Sequence, residues 1–396
     1  MPVLNRIAAF HAEMTAWRHD LHRHPELAFE EVRTSNLVTE KLREFGVDEV
    51  ITGVAGTGVV GVIRGGAQGR SIGLRADMDA LPIQEETGLE HASTVPGKMH
   101  ACGHDGHTTM LLGAARYLAE TRNFAGTAHV IFQPAEEMGG GAEVMVNEGL
   151  FDRFAMDRVF GIHNWPALPA GQFFWRDGPL MAAVADLDIT ITGQGAHGAM
   201  PHQGNDPVVI AATLVTALQS IVARNVEPVE AGVVTIGRIE GGHAFNVIPE
   251  TVHLRGTARW FRAEVGDMLE KKVVELATGI ATAFGAQAAV RFTRMYPATL
   301  NDRAANREAI RAAATVVGSD NVLELERPTM GGEDFAFMLN AKQGAYLFLG
   351  AGRGAADPGL HHPKYDFNDA LLPVGASFFA SLVEHFLARD SQVHQS

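Results

Sequence analysis

Cysteine, positive charge and long apolar runs are all scarce in this sequence, and each shortage excludes a class of protein. The 396 residues include one cysteine, Cys102, so no internal disulfide can form, and we expect a reducing compartment, the cytoplasm. A formal net charge of −14 argues against binding to nucleic acid or to an anionic membrane, because both need a basic surface. We see no apolar run close to the roughly 20 residues that span a bilayer, and no apolar signal-peptide core near the start.

Length and hydrophobic patterning predict two domains in an α/β protein. The chain exceeds the size at which a single hydrophobic core stops growing. After an opening helical segment over about residues 3–45, unbroken apolar strands at 71–74, 128–132 and 158–162 alternate with helices, and a further such strand follows at 345–349. Strands of this kind are typical of a mostly parallel sheet covered by helices on both faces.

The pattern changes near residue 184 and indicates an inserted domain. Residues 186–192 alternate polar and apolar side chains, and a helix follows with Asp206 as its N-cap and Pro207 as its first residue. Strands at 232–239 and 251–260, a helix at 264–284 and a strand at 287–292 complete the order β-α-β-β-α-β. This order predicts a ferredoxin-like α+β domain over residues 184–295, inserted into a larger domain formed by residues 1–183 and 296–396.

The densest group of chemically active side chains lies at residues 100–107, with the sequence H-A-C-G-H-D-G-H. It places the only thiol, Cys102, close to His104, Asp105 and His107. A thiol among imidazoles and a carboxylate is typical of a site for a borderline-soft divalent metal. A lone cysteine is more often a small buried hydrophobe, so this interpretation depends on further ligands elsewhere.

Three other patches supply such ligands. Glu136 and Glu137 follow a predicted strand, and because adjacent side chains point in different directions, one can coordinate a cation while the other transfers protons. His163 closes the next strand, and His361 and His362 follow a glycine-rich loop. Each patch alone is ordinarily a solvated turn or a satisfied core histidine. Together they predict one or two divalent ions at the strand ends, with an open position for water.

A series of short motifs covers essentially the whole chain, from H-R-H-P-E-L near the start to P-V-G-A-S near residue 377. Between them lie H-A-C-G-H-D-G-H-T, Q-P-A-E-E, G-I-H-N-W-P, G-A-H-G-A-M-P-H, F-N-V-I-P-E, M-G-G-E-D-F and L-H-H-P-K-Y-D-F-N-D. The series resembles that of the two-metal aminoacylase/carboxypeptidase family, and within it the hippurate hydrolase and N-acyl-amino-acid amidohydrolase branch. The resemblance implies that the inserted domain is a lid and dimerisation domain, and that the protein is a homodimer or a tetramer.

The resemblance implies a role for each matching residue of the larger domain. The ligands of two divalent ions would be Cys102, His104, Glu137, His163 and His361. The branch usually has asparagine where His362 stands, which aligns the ligand with His361 and leaves His362 as the alternative. Glu136 would be the general base, and Asp79 would orient a ligand. Cys102 stands where the family at large has a bridging aspartate; a thiolate favours zinc, cobalt or nickel, and manganese remains compatible with the other ligands.

For the inserted domain, the resemblance implies contacts to the substrate. His197 matches a lid histidine that donates to the developing oxyanion, typically in the active site of the partner subunit. Asn246 and Arg259 would bind the substrate carboxylate, with Arg255 or Arg262 as alternatives for the guanidinium. Gly332 would offer its backbone N–H to the same carboxylate, or would simply form a turn.

The implied reaction is hydrolysis of the amide bond of N-acyl or N-aroyl amino acids, with hippurate as the leading example, by metal-activated water. A dipeptidase or an N-acetyl-diaminopimelate deacetylase of the same build is the alternative within the family. Two other classes of protein compete with an enzyme. A binding module would not need the base Glu136 beside the ligands, and a redox protein would use Cys102 as a nucleophile without a resolving thiol.

Overall fold

Chain contacts divide the protein into two units. In the computed structural model, which describes residues 4–388, the first unit contains the chain up to Leu180, Thr299–Pro328 and the chain from Asp334 onward. The second unit contains Met181–Ala298 and Thr329–Glu333. The limits 184 and 295 for the inserted domain stay our proposal.

The helices are α1 (Asn5–Ala8), α2 (His11–Arg23), α3 (Val32–Glu44), α4 (His104–Thr121), α5 (Gly141–Asn147), α6 (Leu150–Arg153), α7 (Pro207–Asn225), α8 (Ala263–Ala283), α9 (Arg303–Val317), α10 (Phe335–Ala341) and α11 (Leu372–Phe386). The strands are β1 (Glu49–Val54), β2 (Gly58–Arg64), β3 (Ala67–Asp77), β4 (Ala125–Gln133), β5 (Arg158–Pro169), β6 (Phe173–Trp175), β7 (Gly178–Met181), β8 (Ala183–Thr192), β9 (Ala196–His197), β10 (Gly232–Gly241), β11 (Val247–Ile248), β12 (Thr251–Trp260), β13 (Gln287–Tyr296), β14 (Thr299–Asn301), β15 (Val322–Glu324) and β16 (Gly344–Gly352). Three short 3₁₀ helices lie at Pro201–Gln203, Ser319–Asn321 and Asp369–Leu371.

An eight-stranded sheet forms the centre of the first unit, in the order β1-β2-β4-β3-β5-β16-β6-β15. Its four middle strands, β4, β3, β5 and β16, run parallel. Their apolar side chains are buried, and helices including α4, α9 and α11 contribute to the same core. The predicted α/β fold with a mostly parallel, helix-covered sheet is confirmed.

The parallel strands place their carboxyl ends at one edge of this sheet, where open α/β sheets bind ligands. β3 ends at Asp77, β4 ends at Gln133, and β5 carries His163 next to its last buried residue, Asn164. The chain segments that follow β3 and β4 therefore start from the same edge as His163.

The opening segment, predicted to be helical over about residues 3–45, contains three helices, α1, α2 and α3, with breaks that the prediction did not include. Residue 3 lies outside the described residues. Pro25 follows the end of α2 and has no N–H to continue a helical ladder. Phe29 then takes a left-handed φ of 61°, so the chain turns before α3 begins.

The second unit contains a four-stranded antiparallel sheet in the order β10-β12-β8-β13, with α7 and α8 packed on its apolar face. If the four strands are numbered by their order in the chain, their order across the sheet is 2-3-1-4. This is the ferredoxin-like arrangement that the sequence predicts. The Asp206 side chain caps α7 by accepting from the Val208 N–H at 2.9 Å, and Pro207 is the first helical residue, as predicted.

Helix α7 tests the expectation that no apolar run approaches the length of a membrane span. By length and composition, this 19-residue helix could cross a bilayer, so that expectation is wrong for α7. The same test is passed by core helices, and α7 buries Ile210, Leu214, Leu218 and Ile221 in the core of the second unit.

We expect the buried His129 on β4 to make the folded protein less stable in mild acid. Burial lowers the pKa of this histidine from 6.5 to about 4, so below pH 6.5 the unfolded chain takes up a proton that the folded protein excludes. Its contribution to the free energy of unfolding should therefore fall by about 2 kcal/mol between pH 7.5 and pH 5. His129→Leu should remove that part of the acid sensitivity in urea-unfolding curves at the two pH values. The exposed His202→Leu is the control, and an equal pH dependence in wild type and His129→Leu would contradict the prediction.

Candidate metal centre

A left-handed glycine joins Cys102 to His104 at the start of α4. Gly103 has a φ of +93°, and a Cβ there would lie 2.4 Å from the Asn164 Oδ1 and 2.7 Å from the Tyr365 hydroxyl. Only glycine fits this close approach. The turn holds Cys102 just before the helix and begins α4 with the buried His104.

The structure brings the five predicted ligands together. Two groups of three offer ligand atoms within 4.8 Å of one another, namely Cys102, His104 and His163, and Cys102, Glu137 and His361. The Cys102 Sγ lies 3.5 Å from the His163 Nε2, and the Glu137 Oε1 lies 3.3 Å from the His361 Nε2. Cys102 belongs to both groups, and so it occupies the position of a shared ligand.

His361 rather than His362 lies against this cluster. His361 takes a left-handed φ of 63°, which is unusual for a residue other than glycine and often marks a functional site. His362 instead accepts a hydrogen bond from the Lys364 N–H at its own Nδ1, at 3.0 Å.

Two orphaned atoms test whether these residues fit a metal ion. The His104 Nε2 and the Glu137 Oε1 are buried and lie 3.9 Å apart. Among the described residues neither makes a well-formed hydrogen bond, although the Glu137 Oε1 is within ion-pair distance of the His361 Nε2. Burying such groups without a partner is costly. An ion bonded to nitrogen and oxygen at about 2.0–2.2 Å would satisfy both, so the residues fit a divalent cation.

The orientation of the imidazoles also suits ligation. The His104 Nδ1 lies 3.2 Å from the Asp79 carboxylate, and the His163 Nδ1 lies 2.7 Å from the Asn164 carbonyl oxygen. Both partners are acceptors, so in the neutral ring each Nδ1 carries the hydrogen and each Nε2 keeps a lone pair. Asp79 therefore lies where the resemblance predicts it, behind a candidate ligand.

The cluster carries an excess of negative charge. Burial alone would lower the pKa of His104, but Asp77, Asp79 and Glu137 raise it to about 10. Burial alone would also raise the pKa of Asp77, yet the Arg75 guanidinium and the imidazoles around it hold that pKa well below its ordinary value. A divalent cation is the charge that such a surplus of carboxylates favours.

Cys102 does not suit the competing role of a redox nucleophile. Burial, Glu137 and Glu136 raise the pKa of its thiol well above the ordinary value. A reactive cysteine needs an accessible thiolate with a lowered pKa, and Cys102 is buried and the sole cysteine.

Glu136 lies beside the candidate ligands without belonging to either group that contains Cys102. Its side chain is 6% exposed, and a carboxylate oxygen lies within 4.8 Å of ligand atoms of His104 and Glu137. The Asp334 N–H donates to its Oε1 at 3.3 Å. Ala135 before it has a φ of 55°, a left-handed backbone conformation that is strained for a residue other than glycine. A buried carboxylate in this place can transfer protons.

The remaining predicted residues all lie in the second unit, as two neighbouring pairs. His197 and Asn246 are exposed neighbours, since β9 pairs with β11 and the Gly198 N–H donates to the Asn246 carbonyl at 2.8 Å. Arg259 is half-buried and lies against Gly332, where a Cβ would be 3.4 Å from its Nη1.

The neighbours of Arg259 have other partners. Arg255 lies 3.9 Å from Asp188, and Arg262 pairs with Glu230 at 2.8 Å. Arg259 instead donates to the Thr257 hydroxyl at 3.2 Å, so of the three arginines it is the one whose structural partner is uncharged.

Sequence reasoning missed several buried polar residues around the cluster. Arg75, Asn164 and Tyr365 received no role, and His107 was noted only as a neighbour of Cys102, although each lies inside or beside a motif that carries a predicted site residue. The available signal was their position next to those residues.

The fold and the cluster define a class of protein, a hydrolase with a metal-type site at the edge of an α/β sheet. The chain belongs to peptidase family M20/M25/M40, whose model matches residues 73–385, and it is an amidohydrolase of that family. This confirms the resemblance read from the motifs.

Named relatives and a solved structure support the assignment. Hippurate hydrolase of Campylobacter jejuni is 42% identical over 387 residues, which cover 98% of this chain and all of that protein. N-acetylcysteine deacetylase of Bacillus subtilis is 38% identical, over 94% of this chain and 97% of its own length. A crystal structure of the Bacillus subtilis YXEP protein, described as a dinuclear metal-binding peptidase of the M20 family, has a TM-score of 0.82 and 35% identity and covers 96% of this chain and 99% of that one.

Proposed function

We propose that the protein hydrolyses the amide bond of N-acyl or N-aroyl amino acids, with hippurate-like substrates first, to a carboxylic acid and an amino acid. The observation that carries the proposal is the pair of ligand groups sharing Cys102, with the buried carboxylate of Glu136 beside them. The hippurate hydrolase relative, 42% identical over its whole length, supports this substrate class.

Cys102, His104, Glu137, His163 and His361 would hold two divalent ions, with Cys102 shared between them. Such ions, when bound, polarise a carbonyl and make water more acidic. Zinc, cobalt, nickel and manganese are the candidates, because a mixed set of thiolate, imidazole and carboxylate ligands suits them better than magnesium. Asp79 would fix the orientation of His104 through the hydrogen bond at 3.2 Å.

Glu136 would transfer the proton. Its carboxylate accepts a proton from the attacking water as the new C–O bond forms at the amide carbon, and returns that proton to the amine nitrogen as the C–N bond breaks. The adjacent Glu137 is committed to the ligand cluster, so the two neighbouring carboxylates divide binding and proton transfer between them.

The second unit would recognise the substrate carboxylate. Arg259 beside the Gly332 backbone offers a guanidinium whose structural partner is a hydroxyl, and Asn246 offers an amide at an exposed loop.

Met138, 65% exposed directly after Glu137, would give adaptable apolar contact to an acyl or aroyl group.

The N-acetylcysteine deacetylase relative favours small N-acetyl substrates as the second candidate, within the same group as the N-acetyl-diaminopimelate deacetylase and dipeptidase alternatives. A panel of N-benzoyl, N-acetyl and dipeptide substrates, each assayed with manganese, zinc, cobalt and nickel, separates these. The highest kcat/KM should fall on an N-aroyl amino acid. A preference for dipeptides would overturn the proposal, and so would the absence of bound divalent ions from the purified protein.

We further propose a cytoplasmic homodimer, or a tetramer built from it, formed through the second unit. The single cysteine suits a reducing compartment. β10 is an edge strand of the second sheet, and α7 beside it exposes Val208 and Val209. An unpaired strand edge next to exposed apolar side chains is suited to pairing with a second copy of the same surface.

His197 would donate to the developing oxyanion in the active site of the partner subunit. The Ala199 N–H donates to its Nδ1 at 3.0 Å, so the neutral ring carries its hydrogen on the Nε2 and can donate outward. His197→Ala should lower kcat by about 10²- to 10³-fold with little change in KM, which is typical of a lost oxyanion donor.

Mixed dimers test that placement. Reassembling His197→Ala with Glu136→Gln should restore about a quarter of the wild-type rate, because half of the randomly formed dimers are mixed and each has one intact site. Without any restoration, His197 would serve its own chain or no site at all. A fall in affinity alone in His197→Ala would contradict the oxyanion role.

A further inference from the structure

A chain of buried hydrogen bonds in the first unit connects the segments that carry His104, His163 and His361. From the Arg75 Nη1 to the Asp77 Oδ2 the distance is 2.6 Å, and from the Asp77 Oδ1 to the His107 Nδ1 it is again 2.6 Å. The His107 Nε2 lies 2.6 Å from the Asn164 Oδ1, and the Asn164 Nδ2 donates to the Tyr365 hydroxyl at 2.7 Å. We name these five residues the buried chain.

Four members of the buried chain each lie next to a segment that carries a candidate ligand. Asp77 ends β3, and its Oδ2 lies 3.8 Å from the His104 Nε2. His107 is in the first turn of α4, which begins at His104. Asn164 directly follows His163, and Tyr365 lies on the segment that begins with the histidine pair at 361–362.

Arg75 extends the same connection to Glu136. Its Nε donates to the Gln133 Oε1 at 2.7 Å, and its Nη2 donates to the Asp334 Oδ1 at 3.0 Å. The Asp334 N–H in turn donates to the Glu136 carboxylate. One guanidinium thus fixes the ends of β3 and β4 and the residue that holds the proposed base.

Burial restricts the buried chain to a single arrangement of hydrogen bonds. Its members are between 0% and 2% exposed, so a broken link would leave a polar group without water or partner. Buried charged and polar groups of this kind seldom add net stability over apolar residues of similar volume. What they can supply is position, and the Asn164 and Tyr365 atoms that exclude a Cβ at Gly103 also fix the turn between Cys102 and His104.

We propose that the buried chain, through Arg75, Asp77, His107, Asn164 and Tyr365, sets the spacing of the ligand-bearing segments before any ion binds. These are positioning residues, and the inference rests on the proposed two-ion function. Its sharpest consequence concerns Tyr365, whose hydroxyl hydrogen-bonds to Asn164 and, among the residues described, to no candidate ligand. Removing that one oxygen should weaken metal binding.

Cobalt binding to the full-length apoprotein, followed by visible absorption and by chelator competition, tests this. Tyr365→Phe should raise the dissociation constant for cobalt by about 10- to 100-fold, the range found for partners that orient ligands. Tyr117→Phe is the matched control, because the Tyr117 hydroxyl also makes one side-chain hydrogen bond, to Glu384 at 3.1 Å, near the C-terminal end of α4 and several turns from His104. Its cobalt affinity should match that of wild type.

The outcomes separate the inference from the proposed function. If wild type takes up no cobalt, the two-ion proposal fails and the inference with it. If wild type binds cobalt and Tyr365→Phe binds it equally well, with an unchanged spectrum, only the inference is overturned. Should Tyr365→Phe fail to fold, Asn164→Ala removes both side-chain links of that residue in the buried chain, and the same affinity comparison decides.

Discussion

Glu136→Gln should lower kcat by about 10²- to 10⁴-fold, the usual contribution of a positioned general base. Glutamine keeps the size of the side chain and can still accept from the Asp334 N–H, but it cannot take a proton from water. The five candidate ligands are untouched by the substitution, so metal content should remain that of wild type. The measurements are kcat on an N-benzoyl amino acid and divalent ions per chain by elemental analysis.

The control for this variant is Glu143→Gln, which removes an exposed carboxylate from α5 a short distance along the chain and should leave kcat unchanged. Turnover near the wild-type rate in Glu136→Gln would refute the role as base. A loss of ions together with activity would instead make Glu136 a ligand, since its carboxylate also groups with His104 and Glu137.

The sequence predicted the parts of this site that depend on residue type and strand ends. Cys102, Glu137 and His163 could be placed together because the parallel strands of an α/β sheet end at one edge. The resemblance favoured His361 over His362 but left both open, because the position of the ring depends on a left-handed backbone turn at His361 that the sequence does not reveal.

The buried chain shows why other parts could not be read from the sequence. Asn164 and Tyr365 are 201 residues apart, and their hydrogen bond exists only because the fold brings two distant segments together. Single polar residues beside a motif are ordinarily solvated, so nothing short of burial identifies them. The break between the opening helices near Pro25 was missed for a local reason. Apolar spacing continues past it, although proline has no N–H to continue the helix.

The family resemblance and the chemistry of the site both support Cys102 as a metal ligand. Sequence reasoning depended on the thiol having imidazole and carboxylate neighbours from other loops, and the structure provides both within one cluster. A thiol whose pKa is raised by burial and carboxylates gains little as a nucleophile. Two cations that share this residue would offset the surrounding negative charge and favour its thiolate form.

Cys102→Ser should therefore weaken binding of both ions, by more than about 100-fold in dissociation constant, because partners behind the ligands alone are worth 10- to 100-fold. A serine hydroxyl gives up its proton far less readily than a thiol and suits zinc or cobalt poorly. Since Cys102 is the only cysteine, any thiolate-to-cobalt absorption band in wild type comes from it and should vanish in the variant.

Cys102→Asp is the matched comparison for this prediction, because aspartate can bridge two cations through its two oxygens as a thiolate does through sulfur. We expect it to recover two ions per chain, with a preference moved from cobalt and zinc toward manganese. Folding of the apoproteins should be compared by thermal unfolding, so that lost affinity is not mistaken for lost structure. If Cys102→Ser keeps its full metal content and an unchanged cobalt spectrum, the ions bind elsewhere. The water that Glu136 is proposed to deprotonate would then also lie elsewhere.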